Sequence, residues 1–136
     1  MIRKLIRVTI LVPDQEEALR WYTEKLGFEK RADEKLGTNF RWLTVAPQGQ
    51  KDLEIVLQKP DPEFHGPAEA QTMLGRIGQG TTWVLETDHC RRSYEELRTK
   101  GVKFTGPPED QPWGTGALFH DLYGNPFYLL QPRGMK

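Results

Sequence analysis

The stretch Asp14-Gln15-Glu16-Glu17-Ala18-Leu19-Arg20-Trp21-Tyr22-Thr23-Glu24-Lys25-Leu26-Gly27-Phe28 decides the fold. It opens on a residue suited to cap a helix N-terminus and closes on a glycine that ends the helix. Between them Ala18, Trp21, Tyr22 and Leu26 recur at helical spacing, so one face is apolar. The same pattern returns 74 residues later: Asp88 opens a second stretch, Gly101-Val102 closes it, and both Asp-to-Gly intervals are thirteen residues. At the same offset Phe40 to Val45 falls on Gly114 to Phe119, and Leu53 to Leu57 falls on Phe127 to Gln131. A module has been duplicated, and function is sought at positions equivalent in the two halves.

Working outward, Ile6, Val8, Ile10 and Val12 alternate with Leu5, Arg7, Thr9 and Leu11, which gives a first strand with two distinct faces before Pro13-Asp14 ends it. After the helix come strands at Phe28 to Asp33, Phe40 to Ala46 and Leu53 to Leu57. The turn-like stretches Leu36-Gly37-Thr38-Asn39 and Pro47-Gln48-Gly49-Gln50 separate them. The second half repeats the order, with a strand at Thr81 to Glu86 and a helix at His89 to Lys100. Further strands follow at Val102 to Thr105, Ala117 to His120 and Pro126 to Gln131. Gln58 to Gly80 holds three prolines and four glycines and reads as a linker with one helical turn around Ala68 to Leu74. Module one therefore covers about residues 1–58, the linker about 59–79 and module two about 80–134, within one domain of residues 1–136.

A chain of 136 residues with 37% hydrophobic content suits one compact domain, and each half alone would be marginal. Nineteen basic and nineteen acidic residues cancel, which removes the electrostatic footprint of a nucleic-acid or anionic-membrane binder. A small-molecule ligand fits better. No apolar run approaches a membrane span and no signal-peptide core precedes the first strand, so a cytoplasmic protein is expected. Cys90 is the single cysteine, has no Cys-His neighbour in sequence and reads as a packed or surface thiol.

Several ordered motifs carry a resemblance. Val12-x-Asp14, Trp21-Tyr22-Thr23 and Leu26-Gly27-Phe28-Glu29 resemble the opening signature of the vicinal oxygen chelate superfamily, which includes glyoxalase I, bleomycin-resistance proteins and extradiol dioxygenases. Tyr94-Glu95-Glu96-Leu97, Gly101-Val102-Lys103-Phe104, Pro107-Pro108 with Trp113-Gly114, and Asp121-Leu122-Tyr123-Gly124-Asn125-Pro126 resemble its closing helix, loop and turn. The likeness spans nearly the whole chain. It implies an α+β fold of two tandem βαβββ modules curling into a cupped mixed sheet around a small-molecule cavity, commonly in a homodimer. A fold of this kind does not fix a reaction.

In metal-using relatives four ligands project into that cup, one from the first and one from the last strand of each module. The resemblance places Arg7, Glu54, Thr81 (Thr82 in a register one residue later) and Tyr128 at those positions. A guanidinium has only donors and stays cationic, and neutral hydroxyls are weak ligands, so one carboxylate is left to hold an ion. The expectation is no metal and no cofactor, with Arg7 and Glu54 pairing at the base of the cup. His65, His89 and His120 lack ready-made ligand spacing, although His120 ends a strand near the expected mouth. Trp83 is read as sharing the face of Thr81. Trp113 lies in Pro107 to Gly116, a proline- and glycine-rich stretch with the composition of a hinged cover, while Trp42 and Phe119 read first as core. The expected ligand set is Arg7, Glu54, Thr81, Trp83, Trp113 and Tyr128, around an aromatic or anionic small molecule. Two other readings stay open: a metal-dependent lyase, isomerase, epimerase or dioxygenase, and an accessory domain acting through protein contacts.

Overall fold

The computed structural model describes residues 1–37 and 39–134, so Thr38 of the turn read between the second and third strands lies outside the described residues. The architecture is α+β, with two mixed sheets and four helices among the described residues. The chain divides into two compact units, Met1–Gly78 and Gln79–Lys136.

In the first unit, β1 (Arg7–Leu11) runs parallel to β4 (Glu54–Gln58), and the sheet order is β1-β4-β3-β2 with β2 at Glu29–Leu36 and β3 at Phe40–Ala46. The crossover from β1 is α1 (Gln15–Glu24), capped as expected: Asp14 Oδ1 accepts from the Glu17 N–H at 3.0 Å, with Glu16 and Glu17 in the positive first turn. Gly27 adopts φ 72°, the left-handed turn that releases the chain from the helix. Alternation then assigns the two faces. Ile10, Val12, Leu43, Val45 and Leu57 are buried together with Ala18 and Tyr22 of α1, and these side chains form the unit's core. Arg7, Thr9, Glu54, Val56, Trp42 and Thr44 fall on the opposite face.

The linker is more ordered than its composition suggests. It forms α2 (Pro62–His65) and α3 (Pro67–Leu74), each starting on a proline. The missing proline N–H costs nothing in a first helical turn, so residues that punctuate the sequence here begin helices.

In the second unit the sheet order is β5-β9-β8-β6, with β5 at Trp83–Glu86, β6 at Lys103–Phe104, β8 at Gly114–His120 and β9 at Pro126–Pro132. Helix α4 covers Cys90–Thr99 and its N-cap is His89, not Asp88: the imidazole Nδ1 accepts from the Arg92 N–H at 3.3 Å. The Thr87 hydroxyl takes the His89 N–H at 3.3 Å and so carries the turn one residue further before the helix begins. A short strand β7 (Glu109–Gln111) pairs with β8. The stretch expected to be a hinged cover is thus a ladder-bonded hairpin, with Pro112 and Trp113 at its tip. Cys90 is fully buried at the start of α4, and burial pushes its thiol up from the ordinary range. No helix among the described residues is long and apolar enough to cross a membrane.

Candidate functional site

On the face of the first sheet away from α1, Arg7 and Glu54 are in-register partners on β1 and β4. Their side chains form a loose ion pair, Nε to Oε1 3.8 Å, at 42% and 26% exposure. That distance is too long for a hydrogen bond, so the planar donor fork keeps its hydrogen-bonding capacity. The guanidinium carbon sits 5.7 Å from the centre of the Trp42 ring, within cation–π range. Trp42 is therefore not plain core: it forms an aromatic floor beneath a cation. Thr44, two residues further along β3, lies on the same face opposite Val56. It is 0% exposed, and its hydroxyl has no hydrogen-bond partner.

In the second unit, Tyr128 on β9 stands beside Val84 on β5 and Leu118 on β8. Its hydroxyl accepts a hydrogen bond from Trp113 Nε1 at 3.1 Å. The hairpin tip holds Trp113 at 56% exposure, with its carbonyl taking the Arg133 N–H at 2.9 Å. A Cβ at Gly116 would overlap the Tyr128 ring, so this glycine lets the phenol lie flat across β8. Trp83 points elsewhere. It meets Phe127 edge-on with ring centres 6.1 Å apart, on the face of β5 opposite that of Tyr128, because adjacent residues of a strand alternate faces. Phe119 is fully buried and stacked on Phe127 at 5.4 Å, a core residue.

The ladders also revise which positions are equivalent. Arg7 pairs with Glu54, and Thr9 with Val56, while Val84 pairs with Tyr128. Thr44 pairs with Val56, and Leu118 with Tyr128. With Thr44 and Leu118 equivalent at the 74-residue offset, Tyr128 matches Val56, one pleat along from Glu54, whose counterpart is Pro126, and Val84 then matches Thr9. The counterpart of Arg7 is Thr82, the later of the two registers. Thr81 and Thr82 both precede β5 and are exposed. A single sequence offset missed this because the first strands shift by one residue and the last strands by two.

The two positions that the resemblance assigns to metal ligands in the first unit hold a cation, Arg7, next to one carboxylate, Glu54. Among the described residues no group of three or more His, Cys, Asp or Glu side chains could hold a metal ion. This donor set does not fit a divalent cation, which needs several lone-pair ligands converging on one point. Thr44 and Gly116 were missed by sequence reasoning. The available signal at Thr44 was a lone hydroxyl in an otherwise apolar strand segment, Leu43 to Ala46.

The sequence matches the family described as Glyoxalase/Bleomycin resistance protein/Dioxygenase superfamily over residues 4–129. It is 33% identical over 131 residues to the uncharacterized protein YetH of Bacillus subtilis (strain 168), covering 96% of this chain and all of that one. Among solved structures, UcmS2 is similar at 41% identity and TM-score 0.84, covering 96% of this chain and 98% of the other. TnmS3, an antibiotic binding protein from Streptomyces sp. CB03234, is similar at 35% identity and TM-score 0.78, covering 96% and 97%. The chain therefore belongs to the Glyoxalase/Bleomycin resistance protein/Dioxygenase superfamily.

Proposed function

We propose that this protein binds and sequesters a small aromatic molecule bearing an ionised oxygen, and does so without a metal ion. The observation that carries the reading is the Arg7 guanidinium, poised over Trp42 and only loosely engaged by Glu54. A planar cation above an indole receives a flat anion by charge and stacking together. In the second unit, Trp113 and Tyr128 offer an aromatic edge and a hydroxyl at the surface. Thr81 and Trp83 carry less weight, being exposed ahead of β5 and packed on Phe127 respectively. The similarity to an antibiotic binding protein supports a binding role over a catalytic one. A homodimer, as the family resemblance implies, accompanies this proposal and is checked by light scattering.

The test is titration of the full chain with naphthoate, before and after exhaustive chelation. Chelation leaves the affinity unchanged, and Arg7→Ala weakens it about tenfold, the worth of a charge-assisted hydrogen bond. Binding abolished by chelation and restored by stoichiometric metal would instead favour the metal-dependent enzyme.

A further inference from the structure

Thr44 presents a hydroxyl on the same sheet face as Arg7, Glu54 and Trp42, is 0% exposed, and gives its Oγ1 no partner. Buried hydroxyls are nearly always hydrogen-bonded, because leaving one unmade forfeits its interaction with water. The position does not need a hydroxyl for packing: Thr44 sits between Leu43 and Val45 and faces Val56, where valine has the same shape. The Arg7 side chain starts in the row of Glu54 and reaches Trp42, so it crosses the row that holds Val56 and Thr44. At 5.7 Å the guanidinium and the indole touch, so a flat molecule would stack on Trp42 in place of the guanidinium, with the part-exposed Arg7 swung out to meet its ionised oxygen. The ring then lies over this row and uncovers the Thr44 hydroxyl.

We propose that Thr44 is a specificity-determining residue, whose hydroxyl bonds a second oxygen on the aromatic anion held by Arg7. The ligand class is thereby narrowed to ring systems carrying an ionised oxygen and a separate hydroxyl or carbonyl. This inference rests on the ligand-binding reading above.

The test uses the full chain with two probe types: naphthoate, and hydroxynaphthoates bearing the hydroxyl at each free ring carbon in turn. Wild type binds at least one hydroxynaphthoate isomer more tightly than naphthoate. Thr44→Val loses about three- to tenfold of affinity for that isomer, the worth of one hydrogen bond, and changes naphthoate by less than about twofold. Thr44→Ser keeps the preference. Without ligand, Thr44→Val unfolds at the same or a higher temperature than wild type, since an unmade hydrogen bond has been removed. Equal effects of Thr44→Val on every probe, or a lowered unfolding temperature without ligand, would overturn the role of Thr44 while leaving ligand binding standing. Failure of wild type to bind any of these probes would overturn both.

Discussion

Tyr128 lies flat across Gly116, where a Cβ would overlap the phenol ring. This contact positions the hydroxyl that Trp113 Nε1 reaches at 3.1 Å. Gly116→Ala must swing the ring aside, and the indole bond goes with it. The expected cost is about 1–3 kcal/mol in urea unfolding, typical of overpacking. The Trp113 indole N–H resonance, identified by its loss in Trp113→Phe, should also move. Tyr128→Phe keeps the packing and loses only a half-exposed hydrogen bond, at most about 1 kcal/mol. If Gly116→Ala is as stable as wild type with that resonance unmoved, the phenol is not held by this glycine.

Glu54 tunes the neighbouring cation. Its carboxylate shares the face with Arg7 at 3.8 Å, where it competes with an incoming anion and repels it. Glu54→Gln should therefore tighten naphthoate binding about two- to fivefold, a surface-scale electrostatic effect. The gain should shrink in high salt, because the pair is partly exposed. Weaker binding by Glu54→Gln at low salt would mean that Glu54 contacts the ligand directly.

Much of this was legible in the chain, and the reasons differ by residue. The helix and glycine punctuation of Asp14 to Gly27 repeats because each crossover must stop and turn the chain, and those needs are local. The face of Arg7 followed from strand alternation and its pairing with Glu54 from the positions the resemblance assigns to both, which the parallel register of β1 and β4 sets side by side. What failed was counting across loops. Trp83 was given the face of Thr81, in a register left open by one residue, whereas the ladder with β9 sets Val84 beside Tyr128 and so turns Trp83 to the other face. The prolines of the linker read as breakers, yet Pro62 and Pro67 open helices, a distinction that depends on which N–H groups the helix leaves spare. Thr44 escaped because a threonine in a strand is unremarkable until its neighbours are known to bury it.

Arg41 ties three elements of the first unit together and sets an acid-sensitive point. Its Nε and Nη2 donate to the two carboxylate oxygens of Asp33 on β2, at 2.8 and 2.9 Å, and its Nη1 donates to Glu16 of α1 at 3.0 Å. These bonds hold the Asp33 carboxyl down at about 2, below its ordinary 3.8, with Lys30 helping. Because the folded value is the lower one, the contribution is fully present above about pH 4 and fades as pH falls through about 2. Asp33→Asn should cost about 1 kcal/mol at neutral pH, a figure kept small for a bidentate pair that is still partly solvated. Near pH 2 the mutant and wild type should converge. Urea unfolding at the two pH values checks this, and a difference that persists undiminished in acid would show that the carboxylate's charge is not the cause.

The turn from β8 to β9 is a buried polar knot rather than a site. Asp121 Oδ1 accepts from the backbone N–H groups of Tyr123 and Asn125, and its Oδ2 accepts from Asn125 Nδ2, all at 2.9 Å. Asn125 Oδ1 in turn accepts from the Gly80 N–H at 3.2 Å, so the knot also fastens the segment that leads into β5. Both side chains are buried, which leaves water unable to replace any lost bond. Asp121→Ala strands two backbone donors and the Asn125 amide, and should cost about 2–4 kcal/mol in urea unfolding. Asp121→Asn should fall between the two, since its carbonyl still takes the backbone donors while its amide meets the Asn125 amide, donor against donor. Hydrogen exchange adds a local readout: the Gly80 amide should lose protection in Asp121→Ala more than the amides of β1 do. Loss spread evenly over both would show only general destabilisation, and a cost below about 0.5 kcal/mol, in the range of an ordinary surface change, would remove the turn from the structural role given to it.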